Sequence, residues 1–183
     1  MSSDFQWSLR GRCYKLGDNV PHPGGVIPLS FITARETDPN VLIPHLFAET
    51  DPGFSTRCKA GDLIITGKNF GMGVKSNGYI AMAALGLGLL CESMSVQAYR
   101  EAISTGLRVL SPCPGILDLC ERDDDVEVNY QTGEFINHSC NLKKTFTPMP
   151  PTLQELVAAG GTIPWLGQWW ETTGSKQPVD DGV

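Results

Sequence analysis

Residues 61–85 read GDLIITGKNFGMGVKSNGYIAMAAL. The apolar run Leu63-Ile64-Ile65, opened by Asp62 and closed by Gly67, predicts a buried strand over Asp62–Thr66. Ile80–Leu85 is apolar throughout and predicts a helix from about Asn77 to Leu85. Between them runs GKNFGMGVKSNGY, with glycines at 67, 71, 73 and 78. A glycine-rich turn from a strand into a helix lets the backbone come close to a ligand and aims N–H groups at it.

Working outward, Leu87–Glu92 is a second buried strand, Val96–Thr105 a helix with Gly106 beyond its C-terminus, and Leu107–Leu110 a third strand. Strand, helix, strand, helix, strand at this spacing means βαβ crossovers and parallel pairing. Farther on the period changes to two: Val126–Tyr130 alternates, Gln131–Glu134 turns, and Phe135-Ile136 leads away, as in a β-hairpin. Upstream, Gly11–Lys15 alternates as a short strand. Asp18–Pro28 (DNVPHPGGVIP) is a loop, and Asp38 is placed to cap a helix carrying Val41, Leu42, Leu46 and Phe47. Thr152–Ala159 is helical and ends at Gly160-Gly161. Residues 1–10 form a polar leader with Phe5 and Trp7 as anchors, and 169–183 a fraying polar tail. With no repeat and no linker, the reading is one α/β domain over 1–183, a parallel βαβ core plus a β-hairpin.

Composition excludes several classes. The net charge is −6 and no Lys/Arg run could follow a phosphate backbone, so nucleic acid is not an expected partner. The one dense charge run, Glu121–Asp125, reads as an exposed acidic turn before the strand at Val126. None of the six cysteines forms a C-x-x-C pair, which leaves no zinc or iron–sulfur ligand spacing in this chain. Most of them are expected to be buried thiols in a reduced, cytoplasmic protein. There is no apolar leader and no stretch of membrane-spanning length.

Five segments in order resemble the small subunit of 3-isopropylmalate dehydratase, equivalent to the swivel domain of aconitase. They are GRCYKLGDN (11–19), GDLIITGKNFGMG (61–73), AYREAISTGLRVL (98–110), VEVNYQTGEF (126–135) and LQELVAAGGTIPWL (153–166). The resemblance implies a swivelling β/β/α domain whose glycine loop meets a larger partner carrying a 4Fe–4S cluster. It also implies removal and re-addition of water on a hydroxy di- or tricarboxylic acid. In the family the small domain supplies a serine base and an arginine that clamps a carboxylate.

The functional positions depart from that pattern. The family loop continues NFGxGSSREHA; here the matching residues run from Asn69, Phe70, Gly71, Met72 and Gly73 to Val74, Lys75, Ser76, Asn77, Gly78 and Tyr79. The base serine falls on Val74, the second serine on Lys75, the arginine on Ser76, and the Glu-His pair on Asn77 and Gly78. In the N-terminal loop a family-like GDNxDTDxIxP meets Gly17–Pro28, where both aspartates become prolines and one residue is added. The shape-giving glycines stay and the reagents go. Lys75 can restore positive charge as a point, Ser76 can offer one hydroxyl, and His22 can serve as acid or base. Against these stand a solvated Lys75, a helix cap at Ser76 or Asn77, and an exposed, idle His22. Asn69, Gly71, Met72, Gly73, Val74 and Tyr79 are the expected walls of a small-molecule site, with Asn69 tethering backbone and Tyr79 either lining the pocket or packing in the core.

Three functions follow. The first is a dehydratase-family lyase, or the small subunit of one, on a small organic acid. The second is a stand-alone, cofactor-free isomerase or cyclase, as a homo-oligomer or alone, on a larger and less charged substrate. The third is a non-catalytic binding subunit using Trp165, Trp169 and Trp170. No metal site is expected in this chain, and a 4Fe–4S cluster only through a large iron–sulfur subunit.

Overall fold

The computed structural model describes residues 5–73 and 75–173. Among these residues seven strands form one sheet: β1 (Ser8–Lys15), β2 (Leu63–Thr66), β3 (Gly88–Cys91), β4 (Arg108–Leu110), β5 (Asp125–Asn129), β6 (Glu134–Asn137) and β7 (Leu142–Thr145). Their order is β4-β3-β2-β1-β5-β6-β7. β1 through β4 pair in parallel, with Cys13 opposite Leu63 and Ile65 opposite Leu90. On its other edge β1 pairs antiparallel with β5, Leu9 opposite Val128, and the sheet continues antiparallel through β6 to β7. β1 therefore belongs to both halves.

The burial patterns explain the two halves. Every residue of β2 and β3 is buried, because the crossover helices cover a parallel sheet and leave no wet face for polar residues. β5 alternates, with Val126 and Val128 inward and Asp125, Glu127 and Asn129 partly exposed. α4 (Asn77–Ala84) carries the chain from β2 to β3, and α5 (Val96–Ser104) from β3 to β4. Ser95 caps α5 by accepting the Ala98 N–H at 3.1 Å. Gly106 follows α5 at φ 79°, where a Cβ would meet the Gly160 backbone, so this turn has no room for a side chain.

The expected mixed α/β core and hairpin are present, with extensions. β1 starts at Ser8, not Gly11, because residues 5–10 are tied to the sheet. The Phe5 and Trp7 rings lie 4.6 Å apart, Arg108 stacks over Phe5, and its Nε donates to the Gln6 carbonyl at 3.0 Å. The hairpin gains β7. The helix expected after Asp38 is shorter: Asp38 accepts the Asn40 N–H at 2.9 Å and caps α2 (Pro39–Leu42), but Pro44 follows and the chain tightens into a 3₁₀ turn over Ile43–His45. Two short helices lie on stretches for which the sequence makes no assignment, α1 (Leu29–Thr33) and α3 (Phe54–Arg57).

α6 (Pro151–Ala158) matches the expected helix, and α7 (Thr162–Thr173) runs through the start of the expected tail. Residues 1–4 and 174–183 of the two expected tails lie outside the described residues. On α7 Trp169 and Trp170 are exposed, with Trp165 half-buried. Cys13, Cys91, Cys113 and Cys120 are buried, Cys58 is half-buried and Cys140 exposed, all as free thiols. No described helix is long and apolar enough to cross a membrane.

Candidate active site

The glycine loop leaves β2 at Thr66 and is stitched to the proline-rich loop that follows β1. Thr66 Oγ1 donates to the Gly17 carbonyl at 3.0 Å, and Asp18 Oδ1 accepts the Lys68 N–H at 2.7 Å. Asn19 N–H donates to the Lys68 carbonyl and Gly71 N–H to the Val20 carbonyl. His22 N–H donates to the Met72 carbonyl at 2.8 Å. A third segment joins from β3: Ser93 accepts the Asn69 N–H on its hydroxyl at 3.1 Å and the Phe70 N–H on its carbonyl at 3.0 Å.

Left-handed backbone makes this path possible. Asn69, Gly71 and Gly73 have φ of 57°, 75° and 79°, and Asn19 opposite has 57°. Asparagine tolerates this region and glycine enters it freely. Asn69 Nδ2 also donates to Asn19 Oδ1 at 2.9 Å, so Asn69 ties the two loops together through the Asn19 side chain rather than through backbone. Gly71 has a second reason to be glycine: a Cβ there would strike the Tyr79 hydroxyl.

His22 is not the exposed loop residue expected. It is fully buried, because Pro21, Pro23 and Gly24-Gly25 fold the loop back on itself and the Val26 and Ile27 N–H groups close onto the His22 carbonyl. Its Nε2 accepts the Gly78 N–H, in the first turn of α4, at 3.1 Å. That bond requires a lone pair on Nε2, so the neutral ring carries its proton on Nδ1. Desolvation lowers its pKa to about 4. The ring packs edge-on to Tyr79 with centroids 4.6 Å apart. His22 thus braces the start of α4.

Tyr79 is fully buried beneath Gly71, its hydroxyl against that glycine. Burial also pushes its phenol pKa up. His22 Nδ1 and Tyr79 Oη are buried without a hydrogen-bond partner among the described residues.

The outward residues form a different set. Asn69, Met72, Gly73 and Lys75 are exposed, and Gly71 is buried with its backbone in the turn. Ser76 is half-buried at the N-terminus of α4, yet its side chain makes no capping bond. Asn77 does not cap either: its Nδ2 donates to the Glu36 carbonyl, tethering α4 to the segment after α1. Val74 lies outside the described residues. Lys68 pairs with Glu92 at 3.8 Å. His138 and His45 lie elsewhere, against Glu127 and Phe31. The described residues contain no group of three or more metal-ligating side chains.

Two open clefts of about 730 Å³ each lie along α5 and α6, and among the described residues of 67–79 only Ser76 is on either wall. The loop therefore presents Asn69, Met72 and Lys75 on an open surface beside a helix start. Sequence reasoning missed the struts Asp18, Asn19, Ser93 and Asn77. Asp and Asn at a turn give a local signal, but their partners are remote in the chain.

No family model matches the chain. Curated relatives match over most of it. The 3-isopropylmalate dehydratase small subunit of Halothermothrix orenii is 36% identical over 85% of this chain and 93% of its own length. That of Thermodesulfovibrio yellowstonii is 32% identical over 86% and 92%. The isopropylmalate/citramalate isomerase small subunit of Methanocaldococcus jannaschii is 33% identical over 86% and 93%. A crystal structure of 3-isopropylmalate dehydratase from Methanocaldococcus jannaschii superposes with a TM-score of 0.81 at 30% identity, covering 93% of this chain and 99% of that one. On this likeness over most of its length, the chain belongs to the family of 3-isopropylmalate dehydratase small subunits.

Proposed function

We propose that the chain is the small subunit of a hydro-lyase that adds and removes water on a small organic acid, and that a larger subunit completes its site. The observation that carries this reading is the glycine loop: its backbone is braced from Gly67 to Met72, while the polar side chains Asn69 and Lys75 face outward and enclose nothing by themselves. A site of this form works as half of a pocket, closed when a second surface meets it.

The roles differ from those the family resemblance implies. Lys75 supplies a positive point charge beside the N-terminus of α4, where a substrate carboxylate is favoured. Ser76 adds one hydroxyl donor. Both replace a bidentate arginine, so the hold on a carboxylate is looser in direction. Val74 has no proton to exchange, and His22 is buried, neutral near pH 7 and occupied by Gly78. Proton transfer therefore falls to a group of the larger subunit. The described residues offer no ligand set for an iron–sulfur cluster, and the cluster that the resemblance implies would be held by that subunit and supply Lewis-acid chemistry there.

Reconstitution tests the reading. The chain alone should leave isopropylmalate and citramalate unchanged. Adding a cluster-bearing large subunit encoded in the same organism should produce the unsaturated acid, followed by its ultraviolet absorbance. Turnover by the chain alone would instead support a cofactor-free isomerase or cyclase.

A further inference from the structure

Cys13 lies within β1, and Cys120 directly follows the 3₁₀ turn Ile116–Leu119. They are 107 positions apart, yet their sulfurs approach to 3.5 Å, with the Cys13 thiol donating to Cys120 Sγ. Both are free and buried. The approach is fixed by backbone: Cys13 N–H donates to the Asp124 carbonyl at 2.9 Å, and Asp123 N–H to the Cys13 carbonyl at 2.8 Å. Cys120 stands at the rim of the core, since its neighbour Glu121 is exposed and pairs with Lys15 at 3.1 Å. The hydrogen bond from Cys13 and the nearby Lys15 charge lower the Cys120 thiol pKa, which favours its thiolate.

We propose that Cys13 and Cys120 form a reversible disulfide when a hydroperoxide reaches the chain. The Cys120 thiolate attacks a peroxide oxygen and the O–O bond breaks. Cys120 becomes a sulfenic acid, and the departing oxygen leaves as water or alcohol after taking a proton. Cys13 sulfur then attacks the sulfenic sulfur. The S–S bond forms, the S–O bond breaks, and a second water leaves with the Cys13 proton. Each sulfur is oxidised by one electron and the peroxide is reduced by two. Bonding requires the sulfurs to close by about 1.5 Å.

The bond would act close to the glycine loop. It ties β1 to the segment holding Leu117, whose side chain packs against Gly67, the first residue of that loop. Oxidation thereby locks the floor under the candidate site.

The test treats the whole purified chain with hydrogen peroxide, alkylates remaining thiols in denaturant and maps peptides by mass. The expected result is a Cys13–Cys120 linked peptide, reversed by dithiothreitol, with a thermal midpoint about 10 °C above that of the reduced chain. In Cys13→Ser, Cys120 should be trapped by dimedone as the sulfenic acid, with no thermal shift. If that variant does not fold, the wild-type peptide map decides alone. Cys13 and Cys120 both remaining alkylatable after Cys140 has reacted would overturn the proposal, as would a link from either to another cysteine.

Discussion

The two loops that meet at the candidate site are built oppositely. The proline-rich loop 18–28 turns its functional-looking residue, His22, completely inward. The glycine loop ties its backbone inward from Gly67 to Met72 and turns Asn69, Met72 and Lys75 outward. One is a brace and the other a display surface. The lesson is that a chemically capable residue near a site need not be a reagent. His22 has the right ring for acid–base work, but its lone pair is used by Gly78 and its charge is opposed by burial.

The contrast breaks most severely at Gly71. Gly71→Ala places a Cβ against the Tyr79 hydroxyl at a φ of 75°, and should cost about 4 kcal/mol in urea unfolding, from overpacking plus left-handed strain. An alanine variant of wild-type stability would mean that Tyr79 does not sit beneath the loop.

Acid comes next. His22 has a folded pKa of about 4 against an ordinary 6.5, so between those values the unfolded chain binds a proton that the folded chain refuses. Stability contributed through this group is therefore complete above pH 6.5 and lost as pH falls to about 4, by roughly 3 kcal/mol in total. His22→Gln should flatten this part of the stability curve, leaving the loss below it that comes from carboxylates such as Asp124 and Asp125, whose pKa values are lowered by backbone and Asn137 hydrogen bonds and by Arg10 respectively. Equal slopes in the two proteins would remove His22 from the brace.

Asn69→Ala loses the contact to Asn19 and keeps a strained φ of 57°; about 1 kcal/mol is expected in the same unfolding assay. Lys75→Ala should change stability least, by under about 0.5 kcal/mol, because the residue is exposed. In an assembled enzyme it should nonetheless lower kcat/KM at least roughly ten-fold, about the worth of one charge-assisted contact. A stable variant with full turnover would return Lys75 to an ordinary surface role.

The parallel core was legible in the sequence because β2, β3 and both crossover helices announce themselves locally, by apolar runs and Gly106. β7 was not, because LKKT has no apolar run to mark it; it forms by pairing with β6. α7 was missed because Pro164 and Gly167 argue against a helix, although Pro164 falls in its first turn, where proline is tolerated. At the site, the turn-forming glycines and Asn69 were readable from local conformational demand. The burial of His22 was not, since it depends on Gly78, which lies 56 positions away.

The most direct measurement is the native mass of the tagged chain drawn gently, without oxygen, from its own cells. A brown complex containing a larger iron–sulfur subunit is the expected result, with the glycine loop protected from amide exchange relative to the free chain. A colourless monomer or homo-oligomer, with that loop exchanging as in the free chain, would contradict the small-subunit role.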